Sequence, residues 1–116
     1  MASLEQIEEF LSNFKVKLGI WGLVFRSDRG KNTQTLLNLE LSVMQVKEHL
    51  KELQPEDYSE GPLEEKLYGN AEMWVFGKEI KATEIYIKIS MGMPSSEVLC
   101  ISFHQAEYPL TYPYKK

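Results

Sequence analysis

The sequence predicts an α+β domain in which two to three helices pack on a mainly antiparallel sheet formed largely by the C-terminal half. Two Ser-x-x-Gln capping boxes, starting at Ser3 and Ser42, each open an apolar stripe at helical spacing. Between Met73 and His104 lie three runs rich in β-branched and aromatic residues, the signature of strands. The connections between these runs are short, and short connections make antiparallel neighbours.

Taken in order, Leu4, Ile7, Leu11 and Phe14 predict a helix over residues 4–14. Glu5, Glu8 and Glu9 lie near its start, where the helix dipole favours anions. The β-rich, partly alternating run Lys15–Phe25 reads as a strand, with Gly19 and Gly22 marking a bulge or a close backbone approach. Ser27–Asn32 is a polar turn, and Thr35–Leu41 reads as a second short strand with Leu37, Leu39 and Leu41 on one side. Val43, Val46, Leu50 and Leu53 form the stripe of a second helix, stopped by Pro55. Residues 55–62 read as a proline-bracketed loop, and Leu63–Tyr68 as one helical turn. The strands of the β half are Met73–Lys78, Glu84–Ser90 and Val98–His104, and the tail Tyr108–Tyr114 is too proline-rich for a central strand.

At 116 residues the chain fits one domain, residues 1–116, able to bury roughly two-thirds of its unfolded surface. Its 43% apolar and 26% charged residues are those of an ordinary globular protein. One cysteine, Cys100, excludes a disulfide scaffold, and its apolar surroundings make it a buried small hydrophobe. The N-terminus has neither a basic region nor an apolar core, and no stretch approaches the ~18 apolar residues of a membrane span, so a cytoplasmic protein is expected. Two histidines and one cysteine are too few for structural zinc, and neither a phosphate-binding glycine loop nor a serine-hydrolase elbow is present. No metal or cofactor is therefore expected.

The chemistry concentrates on one face of the sheet. In Glu84–Ser90 the isoleucines 85, 87 and 89 share a face, and Tyr86 and Lys88 share the other. In Val98–His104 the stronger core set is Leu99, Ile101 and Phe103, which places Ser102 and His104 opposite. Lys78, ending the preceding strand, could join them. A solvated sheet face is the plain alternative. The same set also suits phosphodiester cleavage in RNA: histidine or tyrosine moves protons and lysine neutralises the phosphorane. Histidine is the side chain whose ordinary pKa lies nearest neutrality, which makes His104 the leading proton-transfer candidate. His49 reads as a surface residue of the second helix.

Four local patterns resemble the toxins of the motility quorum-sensing regulator family, MqsR. They are Leu36–Leu41 ahead of a helix, Leu53–Tyr58, Met73-Trp74 followed by Ile85–Ile89, and Leu99–Phe103, in the family's order and spacing from Leu36 to His104. The resemblance implies a RelE-like fold and a metal-independent endoribonuclease, an mRNA-cleaving toxin neutralised by a cognate antitoxin. Of the family's active-site positions the strand tyrosine carries over as Tyr86. A family lysine falls near Ser59 or Glu60, a glutamine is Val75, and a lysine is His104. The chain also continues past the family's usual end, from Gln105 to Lys116.

Charge argues the other way. A net charge of −4 disfavours a general nucleic-acid binder and favours a non-catalytic protein-binding module. The charges are segregated, however. Arg26, Arg29 and Lys31 form one basic turn suited to RNA, whereas much of the acid lies in Glu5, Glu8, Glu9 and the stretch Glu56–Glu65.

Overall fold

The structure, a computed structural model, describes residues 1–64 and 72–115. Helix α1 spans Leu4–Trp21. Its capping box forms as expected: Ser3 Oγ accepts from the Gln6 amide at 3.2 Å, and Gln6 Oε1 accepts from the Ser3 amide at 2.8 Å. The helix does not stop at residue 14, so most of the expected strand over 15–25 is helical. Leu18 continues the buried stripe of Ile7, Leu11 and Phe14, whereas Val16 and Ile20 are 60% and 69% exposed. Gly22, at a φ of 87° that side chains rarely adopt, ends the helix, and only Leu23–Phe25 forms the strand, β1.

The expected strand at Thr35–Leu41 is also helical: α2 spans Gly30–Leu39. Its inward positions are Asn32 and Thr35, buried, with Leu36 and Leu39 packed on the core. That is helical spacing, but half of it is polar, so the apolar pattern alone missed it. Helix α3, Val43–Lys51, opens on the Ser42 capping box as predicted. Of the predicted helical core, Ile7, Leu11, Phe14, Val46, Leu50 and Leu53 are buried, while Leu4 and Val43, at the first turns, are 44% and 43% exposed. Replacing the fully buried Leu50 with Ala should cost roughly 2–5 kcal/mol; a thermal melt unchanged by the substitution would show that the stripe carries no core energy.

After a 3-10 turn at Pro55–Asp57, the expected loop forms an edge strand, β2, over Tyr58–Leu63. Buried Tyr58 anchors it. Its hydroxyl donates to the Gly61 carbonyl at 2.5 Å and accepts from the Ala2 amide at 3.2 Å. Leu63 thus belongs to a strand, and residues 65–68 of the predicted helical turn lie outside the described residues.

The three predicted strands form β3 (Met73–Ile80), β4 (Thr83–Ser90) and β5 (Val98–Gln105). The sheet order is β1-β5-β4-β3-β2, antiparallel except for the parallel pair β1/β5. The core lies between one face of this sheet and the helices, where Trp74, Phe76, Ile85, Ile87 and Ile89 meet Phe10, Phe14 and Leu18. Phe10 stacks on Trp74 with ring centroids 4.5 Å apart.

A bulge in β5 corrects one expected face. Lys88 pairs with Ser102 but Ile89 pairs with Cys100, so Ile101 is an extra residue. Val98, Cys100 and Phe103 therefore supply the core face, and Leu99 is only partly buried. Cys100 is fully buried, and burial pushes its thiol far above the usual range, which makes it inert.

Asn32 of α2 fits this bulge. Its Nδ2 donates to Ile101 O and Arg26 O, both at 3.0 Å, and its Oδ1 accepts from Phe103 N at 2.9 Å. Strand β1 ends at Phe25, and the Asn32 amide takes over as the edge partner of β5.

His49 of α3 is half-buried rather than fully exposed. Burial, helped by the charges of Lys78 and Lys81 and opposed by Glu52, holds its pKa below the ordinary value. The unfolded chain therefore takes up this proton first. Its stabilising contribution is present above the ordinary histidine pKa of ~6.5 and is lost as pH falls through the lower folded value. The decline in melting temperature between about pH 7 and 5 should be shallower in a His49→Gln variant; parallel curves for the two proteins would refute the assignment.

Candidate active site

The register of β4 and β5 brings the predicted residues together. Tyr86 pairs with His104 and Lys88 with Ser102, all on the face away from the helices. The Tyr86 and His104 rings stack, centroids 5.2 Å apart and planes 16° from parallel. These four side chains line a cleft of about 280 Å³. Arg29, entering from the start of α2, and Glu107 complete its polar wall, and Tyr108 and Leu110 of the tail form its apolar side.

The tail borders the cleft without burying it. The Leu110 amide donates to Glu84 Oε1 at 3.2 Å and the Tyr112 hydroxyl donates to Glu84 Oε2 at 2.7 Å. Burial and the Glu84 carboxylate both push Tyr112 well above its usual pKa, so it stays a donor. Gly77 is the seat of this strap: a Cβ there would lie 2.6 Å from a Leu110 methyl and 2.8 Å from the Tyr112 ring. The Tyr114 hydroxyl then donates to Ala2 O at 2.6 Å, tying the tail to the N-terminus.

No family model, curated protein or solved structure matches this chain.

Lys78 does not join the cleft. It pairs with Ile85 in the ladder, which places it on the helix side of the sheet, and its Nζ lies 3.5 Å from Glu52 Oε1. The predicted basic turn divides. Arg29 lines the cleft, and Lys31 lines the neighbouring groove and bonds Glu107. Arg26 holds Asp28 in a fork of 2.8 and 2.7 Å, which lowers the Asp28 pKa to about 2. Cys100, on the core side, is no partner for His104.

Sequence reasoning assigned Arg29 to RNA binding alone and missed Asn32, Glu107 and the tail wall. Asn32 is a polar member of a helical stripe, and Glu107 and the tail sit in no periodic pattern. The one available signal was Gly77, a small residue within an otherwise bulky strand, which marks a close approach.

The His104 contacts define its proton inventory. Its Nδ1 lies 3.0 Å from Gln105 O. A carbonyl only accepts, so this bond places the proton on Nδ1 and leaves Nε2 as the basic nitrogen of the neutral ring. Glu107 is held below the usual carboxylate range by its bond to Lys31, with a smaller contribution from His104. The cleft thus joins an aromatic-backed imidazole to two cations, Arg29 and Lys88, and one carboxylate. Among the described residues no three His, Cys, Asp or Glu side chains group as a metal site, and no helix is long and apolar enough to cross a membrane.

Proposed function

We propose that the chain is an endoribonuclease, the toxin of a toxin–antitoxin pair with a RelE-like fold related to the MqsR toxins. The observation that carries this reading is the convergence of Tyr86, Lys88 and His104 on one open cleft, joined there by Arg29. Among the described residues that line the cleft, Arg29 and Lys88 supply positive charge, and the carboxylate of Glu107 is bonded to Lys31.

In the proposed reaction His104 Nε2 removes the proton of an RNA 2′-hydroxyl. The 2′-oxygen attacks the adjacent phosphorus, the bond to the 5′-oxygen breaks, and a 2′,3′-cyclic phosphate forms. The protonated imidazole returns its proton to the departing 5′-oxygen. Tyr86 backs that imidazolium with its ring face and orients the phosphate, while Lys88 and Arg29 neutralise the phosphorane. Lys78, on the opposite face, takes no part.

The test is incubation of purified protein with single-stranded RNA in EDTA, with and without ribosomes. Products ending in 2′,3′-cyclic phosphate and 5′-hydroxyl, undiminished by EDTA, are expected. Intact RNA under both conditions would transfer preference to the protein-binding module.

The proposed antitoxin covers the cleft face or the edge of β2, the outermost strand among the described residues, since a strand edge accepts a partner strand readily. A complex in which the partner touches only α1 would refute this.

A further inference from the structure

His104 and Glu107 line a second depression as well as the cleft. On their far side runs a groove of about 560 Å³ along α2, walled by Lys31, Gln34 and Asn38. The proposed proton-transfer residue therefore stands at the junction of two adjoining sites. A residue that cuts a polymer between two monomers needs that placement, because the linkage must sit at the proton-transfer group while a monomer lies on either side.

The groove wall is chemically suited to one monomer. Gln34 Nε2 donates to Asn38 Oδ1 at 2.8 Å, one helical turn apart. That bond uses one atom of each amide, which leaves Gln34 Oε1, an acceptor, and Asn38 Nδ2, a donor, on two exposed side chains of the groove wall. Paired donor and acceptor groups on an amide wall match the edge of a nucleobase. Lys31 supplies a cation for the flanking phosphate, and its bond to Glu107 is between exposed groups, so a phosphate can displace the carboxylate.

We propose that the α2 groove is a second nucleotide subsite, in which Gln34 and Asn38 hold the base edge of the nucleotide next to the one in the Tyr86–His104 cleft. This rests on the ribonuclease reading and deepens it from RNA in general to a dinucleotide unit.

The test is titration of the whole protein with a nucleoside 3′-monophosphate and with a 2′-O-methyl dinucleotide set, which cannot be cleaved, followed by amide NMR shifts. The best dinucleotide should bind about 10-fold or more tightly than the mononucleotide, as one additional ordered base warrants. In a Gln34→Ala/Asn38→Ala variant that gap should close while mononucleotide affinity is kept. Both side chains are exposed and Ala favours the helix, so the fold should survive; the single variants serve in its place if the melt shifts. Equal affinity for both ligand lengths, or a gap that persists in the variants, overturns the second subsite and leaves the cleft reading standing. Failure of the wild type to bind either length overturns both.

Discussion

Replacing His104 with Ala should lower RNA cleavage by about 10²–10⁴-fold, the usual range for loss of a general acid or base. The side chain is half-buried near the end of β5, and its Nδ1 lies 3.0 Å from the adjacent carbonyl of Gln105. The variant should therefore keep its fold, and a matching thermal melt checks that. Free imidazole should restore part of the lost rate, which it would not do for a residue that only shapes the cleft. Ala at Lys88 or Arg29 should weaken cleavage through lost phosphorane stabilisation. Ala at Lys78 should leave the rate unchanged, because that side chain lies across the sheet beside Glu52. Cleavage that survives Ala at 86, 88 and 104 alike would place the chemistry elsewhere.

Changing Asn32 to Asp should destabilise the fold by about 4 kcal/mol, a large share of a typical domain's stability. The two are nearly the same shape, so packing barely changes. The hydrogen bonding reverses. Asn32 is fully buried, and its amide nitrogen serves the carbonyls of Arg26 and Ile101. A carboxylate would put negative charge against those two oxygens with no donor between them, keeping only the bond from Phe103 N. Asn32→Ala should cost less, about 2–3 kcal/mol, because it adds no buried charge, although it also leaves Phe103 N without its acceptor. Denaturant unfolding of the two variants checks the order, and an Asp variant as stable as wild type would refute the clamp. Because Arg29 is the N-cap of α2, Asn32→Ala should reduce cleavage even where the chain remains folded.

The residues of the proposed site were legible for a simple reason. Glu84–Ser90 alternates cleanly, and in an antiparallel ladder alternation alone decides which side chains share a face. Alternation on either side of Phe103 put Ser102 and His104 beside Lys88 and Tyr86, as the register does. The two capping boxes were equally readable, because capping is a local contact between a Ser and the Gln three residues on. The Leu99 face was misread because a bulge shifts alternation by one residue, and nothing within the strand marks it.

By itself the sequence determined the α+β class, the starts of α1 and α3, the three C-terminal strands and the shared face of Tyr86, Lys88, Ser102 and His104. Each rests on contacts within a strand, a turn of helix or a hairpin. Only the tertiary structure decided that Lys15–Trp21 and Thr35–Leu39 are helical, that β2 exists, and that Arg29, Glu107 and the tail wall the cleft. Those outcomes depend on partners far along the chain: Asn32 on β5, Tyr58 on Ala2, Leu110 and Tyr112 on Glu84. Such pairings leave no period in the local sequence, because the side chain that satisfies each group is brought there by the fold.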